Sequence, residues 1–83
     1  HAEGYQTVAA SVNQHVMGRL NVADTSEKYA FIIGNGTGST RSDAFKIDWN
    51  GLIYVGNSST GIDVSALLTQ INEILTRLDS TET

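Results

Sequence analysis

The four residues HAEG that open the chain return as HVMG fourteen positions later, and the register holds beyond those letters. With His1, Ala2 and Gly4 laid over His15, Val16 and Gly18, Val8 falls on Val22, Ala9 on Ala23 and Ser11 on Thr25. Small and apolar positions recur while the polar ones drift. A unit this short cannot enclose its own apolar face and must stack on copies of itself. No helical stripe runs through residues 1–28. Short β-type triplets, Thr7-Val8-Ala9 and Asn21-Val22-Ala23, alternate there with Gly, Ser and Asn. That pattern predicts two short strands and two turns per unit, a β-roll of head repeats over 1–28. Gly4 and Gly18 fall where the coil needs backbone shapes that a side chain forbids.

Size makes stacking within one chain insufficient. A domain near 83 residues buries only about 60% of the surface its unfolded chain exposes, and with no cysteine it has neither a disulfide nor a thiolate metal site to staple it. Assembly with further copies is the remaining route. A net charge of −4, with five Lys and Arg spread along the chain, offers no basic face to a phosphate backbone, so nucleic acid is not an expected partner. No apolar run approaches the roughly 20 residues needed to span a bilayer, and no membrane insertion is expected. The first residues do not resemble a secretory leader, and a chain beginning on His is read as part of a longer one.

After the repeats comes a strand-rich transition over 29–56. Tyr29 to Ile33 forms a strand whose register places Tyr29 under His15 and Ala30 under Val16. The segment from Gly34 to Thr40, GNGTGST, is a turn or exposed loop, and Ala44 to Asp48 is the next strand. Asn50-Gly51 signals a two-residue type I′ hairpin, since both central residues of that turn take positive φ. Such a turn pairs Trp49 with Leu52 and Ile47 with Tyr54. Period-two geometry then gathers Phe45, Ile47, Trp49, Leu52 and Tyr54 on one face as the hairpin core, and leaves Lys46, Asp48, Ile53 and Val55 on the other.

Residues 57–61 read as a flexible linker, after which the period becomes helical over 62–79. Val64, Leu67, Ile71, Ile74 and Leu78 are spaced 3, 4, 3 and 4, a coiled-coil seam, with Asp63 placed to cap the helix and Leu68 and Leu75 widening the stripe. A wide seam with Ile and Leu at both core positions suits three strands better than two. The expected fold is mainly β with a C-terminal α-helix, ending in a short trimeric coiled coil.

HAEG…HVMG, YAFIIGNGT, DAFKIDWNG and the terminal heptads together resemble the head repeats of trimeric autotransporter adhesins of the YadA-like kind. They resemble more closely the C-terminal part of phage and prophage tail-fibre or receptor-binding proteins. His stands where Ser is frequent in those repeats, and Val and Met replace small residues in the second unit. The resemblance implies an intertwined homotrimer built on a left-handed parallel β-roll. It further implies a structural, non-enzymatic segment of an extracellular fibre on a virion tail or bacterial cell surface, with a host receptor or glycan as its further partner.

Chemistry finds little footing. GNGTGST lacks the Lys and the following helix that a phosphate-binding P-loop needs. Asp43 and Asp48, five apart, lie on opposite faces of a regular strand, so they do not pair as glycosidase carboxylates. His1 and His15 offer imidazoles that a threefold assembly repeats around its axis, a geometry open to a metal ion, although surface or turn histidines are the plainer reading. No metal or other cofactor is expected. Trp49 and Tyr54, if exposed rather than buried, make a ledge for sugar rings, and the 34–40 loop is an alternative contact surface for a receptor-binding tip.

Overall fold

The fourteen-residue repeat is realised as backbone pairing at one site per unit. Thr7-Val8-Ala9 and Asn21-Val22-Ala23, expected as strands, form none, because the Asn21 side chain rather than a neighbouring strand takes the backbone groups of Val8. In the computed structural model, which describes residues 1–82, Ala2 pairs in parallel with Val16 and Tyr5 with Arg19. The Val16 amide donates to the His1 carbonyl at 2.8 Å, and the Glu3 amide returns the bond to Val16 at 3.0 Å. Residues of positive φ come in pairs with the same interval: Gly4 and Gly18, Gln6 and Leu20, Asn13 and Glu27. Two successive turns of chain therefore share one conformation and lie one on the other. Gly4 and Gly18 permit the contact, because a Cβ on Gly4 would meet the Gly18 carbonyl oxygen at 2.0 Å.

Strand β1 (His15–Arg19) runs parallel to β2 (Tyr29–Asn35), which pairs antiparallel with β3 (Asp43–Asp48), itself antiparallel to β4 (Ile53–Val55). The sheet order is β1-β2-β3-β4, and the helix α1 (Val64–Glu82) follows. The chain is thus mainly β with a C-terminal helix. The third rung departs from the expected register: His15 lies beside Phe31 and Val16 beside Ile32, two residues further than Tyr29 and Ala30. The repeat holds as far as Glu27, so the two added residues enter just after it. There the buried Asp24 carboxylate gathers the amides of Ser26, Lys28 and Tyr29, and the β2–β3 ladder slips between Tyr29 and Phe31.

The hairpin also differs from expectation. Its loop is Trp49-Asn50-Gly51, three residues rather than two: the Asp48 amide donates to Leu52 O at 3.0 Å and the Gly51 amide to Asp48 O at 3.1 Å. Gly51 alone in the loop takes positive φ, at 84°, as in a type I turn closed by a glycine bulge. The Asp48 carboxylate selects this form by accepting the amides of Asn50 and Leu52. Pairing consequently joins Ile47 to Ile53 and Lys46 to Tyr54, and the one-residue shift redistributes the faces. Tyr54 points inward and is 4% exposed, with half-buried Leu52 sharing its parity, while Phe45 and Ile47 lie on the opposite face only half-buried. Trp49 sits in the loop, 54% exposed. The five residues expected as one hairpin core are therefore split.

The inward row runs Val16, Ile32, Lys46, Tyr54 across the four strands, all buried. Among the described residues the apolar core holds only Val16, Leu20, Ile32 and Tyr54, and the largest fully buried side chains include Gln14, Asn21 and Asp43. Buried Lys46 is neutralised by Asp43 at 3.5 Å and lies 4.5 Å from the Tyr29 ring centroid. Asp43 and Asp48 are both buried, because a second ladder slip, between Ile33 and Gly34, breaks the regular alternation of β3 that would set them on opposite faces.

The 57–61 segment is more than a loose joint. Asn57 Oδ1 accepts the Asp43 amide at 3.1 Å, and Ile62 exchanges two backbone hydrogen bonds with Ile53, at 2.8 and 3.0 Å. Asp63 then caps α1, its Oδ1 accepting the Ala66 amide.

Candidate functional site

Two apolar surfaces stand uncovered on the single chain. The first is the stripe on α1. Val64, Leu67, Leu68, Ile71, Ile74, Leu75 and Leu78 are each between 45% and 58% exposed, and every residue from Ile62 to Ser80 is exposed. The helix therefore projects from the sheet, consistent with dimensions of 57 × 26 × 18 Å. Buried against water, such side chains contribute roughly 1.5–3 kcal/mol each, so leaving seven in solvent forfeits a large stabilisation.

The second surface is the outer face of the sheet. Strand register aligns His15, Phe31, Ile47 and Ile53 in one row and Met17, Ile33, Phe45 and Val55 in the next. These residues are half-buried or exposed, whereas the alternate row that includes Val16 and Ile32 is closed off. The Asn50-Gly51 signal, read as a two-residue turn, concealed this face by assigning Ile53 and Val55 to the side opposite Phe45 and Ile47.

At the first rung, His1 stacks on His15 with ring centroids 4.6 Å apart, and His15 stacks on Phe31 at 5.4 Å. Glu3 lies two residues from His1 on the same side and approaches both imidazoles, 3.8 Å from His1 Nε2 and 3.5 Å from His15 Nε2. The sequence reading named both histidines and missed Glu3; the signal available to it was the i, i+2 spacing within the first strand-like segment. The structure brings the two histidines together along one chain, a route separate from a ring of copies about an axis.

Trp49 borders a shallow hollow lined also by Val12, Asn13 and Glu27. On the inward side, Tyr54 donates its hydroxyl to Asp48 Oδ2 at 2.8 Å. Burial pushes the Asp48 carboxyl up, but hydrogen bonds from the Leu52 amide, the Tyr54 hydroxyl and the Asn50 amide, with the Lys28 charge, outweigh it and hold the group below its usual range. The same contact raises Tyr54, with burial adding to the shift. Asp24 is likewise raised by burial and lowered more by Ser26, Tyr29 and Lys28, for a net depression. These carboxylates are saturated by structural donors, which suits scaffolding rather than proton transfer. The exposed loop expected over 34–40 is shorter: Gly34 and Asn35 belong to β2, and Gly34 and Gly36 are buried. That leaves Thr37 and Thr40 to exchange backbone hydrogen bonds around a tight turn, and β3 follows rather than a helix.

Comparison with known protein families, with curated proteins and with solved structures finds no match for this chain.

Proposed function

We propose that the chain is a trimerising, non-enzymatic segment of an extracellular fibre, of the kind found on phage tails or bacterial adhesins. The observation that carries the reading is the continuous apolar stripe of α1, solvent-exposed along its length with coiled-coil spacing. A stripe of this width closes best around three helices. The uncovered outer face of the sheet supports the same reading, since packing it about the helix axis extends the interface into the β region. The parallel stacking of residues 1–5 on β1 supports the coiled-chain part of this reading, while the left-handed roll and the intertwining of three chains are carried by the resemblance. Three copies present any weak surface contact together, so avidity substitutes for single-site affinity.

Sedimentation equilibrium on the full chain tests the assembly. A mass of three chains that persists on dilution is expected; a folded monomer overturns the reading. Immunogold labelling of intact virions or cells tests the placement, with label on a projecting fibre as the expected result.

A receptor-binding tip is a second reading, favoured by one observation: Trp49 is 54% exposed beside Asn13 and Glu27. An open indole with polar neighbours suits stacking on a sugar ring. Quenching or a blue shift of its fluorescence on titration with host-surface glycans, lost in Trp49→Ala at unchanged mass, is its signature.

A further inference from the structure

We infer that His1, Glu3 and His15 form a binding site for a divalent transition-metal ion of the zinc or nickel class. Two imidazoles and one carboxylate make a donor set suited to borderline cations, whereas magnesium and calcium favour sites made of oxygen. One ligand atom from each of the three residues lies within 4.8 Å of the other two. A tetrahedral ion with bonds near 2.1 Å needs its ligand atoms about 3.4 Å apart. Closing from the present separation requires the His1 imidazole to tilt out of its stack on His15 and the Glu3 carboxylate to turn toward both, and His1 and Glu3 are exposed and have room to do so.

The backbone holds the set in place. Bonds between Val16 and both His1 and Glu3 fix the first rung against β1 on either side of Ala2. Phe31 covers the face of His15 away from His1, inclined by 15°, and so restricts the ring's motion. The Glu3 carboxylate already approaches the Nε2 atom of both imidazoles, where an ion would meet all three groups. Solvent completes the coordination on the open side. Bound metal would tie the segment of residues 1–3 to β1 through its side chains as well as its backbone. The site is built within one chain and does not depend on assembly.

Isothermal titration of the full chain with zinc chloride and nickel chloride, with magnesium chloride as control, tests the inference. One ion bound per chain is expected for zinc and nickel, and none for magnesium. His15→Ala and Glu3→Gln should each weaken binding by about tenfold or more. Glu3→Gln serves as the independent variant if His15→Ala fails to fold, because Glu3 is exposed and, among the described residues, its carboxylate forms ion pairs with the two histidines alone. Broadening of the His15 ring resonances by nickel locates the ion. Absence of binding overturns the site, as does affinity unchanged in both variants, which is what chelation by His1 alone would give. One ion per three chains overturns it too, since the ligands then come from different copies. Sedimentation of the metal-free chain decides the assembly question separately.

Discussion

The side-chain amide of Asn21 holds both backbone groups of Val8: Oδ1 accepts the Val8 amide at 2.8 Å and Nδ2 donates to the Val8 carbonyl at 3.0 Å. A buried side chain here does the work of a strand, pairing a turn of backbone that has no ladder beside it. Asp43 repeats the device one layer on by accepting the Val22 amide, and Asn57 repeats it again on the Asp43 amide. This explains why polar residues occupy so much of the interior. Asn21→Ala should cost about 1–3 kcal/mol, because it strips a partner from three backbone groups, the Val8 amide and carbonyl and the Val22 carbonyl. Asn21→Asp keeps the acceptor and sets a carboxylate against the Val8 carbonyl, so it should be no less damaging. Urea denaturation at fixed chain concentration measures both.

Gly18 couples the first two turns to β2. Its φ of 93° disfavours any side chain, and a Cβ there would fall 2.3 Å from the Gly34 carbonyl oxygen. Gly38 also has positive φ, 58°, yet a Cβ on it meets nothing within 4 Å. Comparing Gly18→Ala with Gly38→Ala separates backbone strain from steric exclusion. Strain alone, about 1–2 kcal/mol, is expected at Gly38. A larger loss is expected at Gly18, with faster hydrogen exchange at the Gly36 amide, whose bond to the Arg19 carbonyl joins the same two rungs.

The repeat was legible because its two copies are physical neighbours: the letters that match, His1 with His15 and Gly4 with Gly18, stand on adjoining rungs. The shift at the third rung was not legible, since nothing in Lys28-Tyr29-Ala30 looks like an insertion; it depends on Asp24 folding the preceding turn around its carboxylate. The hairpin shows the same limit. Asn50-Gly51 serves a two-residue or a three-residue loop, both ending on a positive-φ glycine, and the choice rests with Asp48 binding two loop amides. One residue of difference exchanged the inside and outside of β4. The helix was the most legible element because heptad spacing is a property of the helix alone. On the single chain its stripe is open, and only the proposed assembly assigns the cover to further copies.

Asp24 and Asp48 set the acid limit of stability. Both carboxyls are held below their usual 3.8, so the folded state binds protons less readily than the unfolded one. Their stabilisation is present above pH 3.8 and is lost as pH falls through the depressed values. Tyr54 sets an alkaline limit with the opposite sense. Its hydroxyl is raised above 10.0, so the unfolded chain ionises first and stability falls as pH rises beyond that value. Tyr54→Phe removes the donor from Asp48. Its acid transition should begin at higher pH than in the parent, and its alkaline limb should shrink, as followed by circular dichroism across a pH series.

Ile71 gives the stripe a test whose sign decides between solvent and burial. On a free helix, Ile71→Ala replaces a β-branched residue by the best helix former, so stability should rise by a few tenths of a kcal/mol. Within a packed seam the same change opens a cavity and should cost about 2–5 kcal/mol per chain. The trimer reading requires the second outcome. It also requires the melting midpoint to rise with chain concentration, because folding and association are then one equilibrium. Asn72→Ala, one position away and outside the seam, should leave that dependence unchanged. Differential scanning calorimetry of the parent and both variants over a hundredfold concentration range reads these effects together, and a gain in stability for Ile71→Ala with a midpoint indifferent to dilution would mean that the stripe faces water.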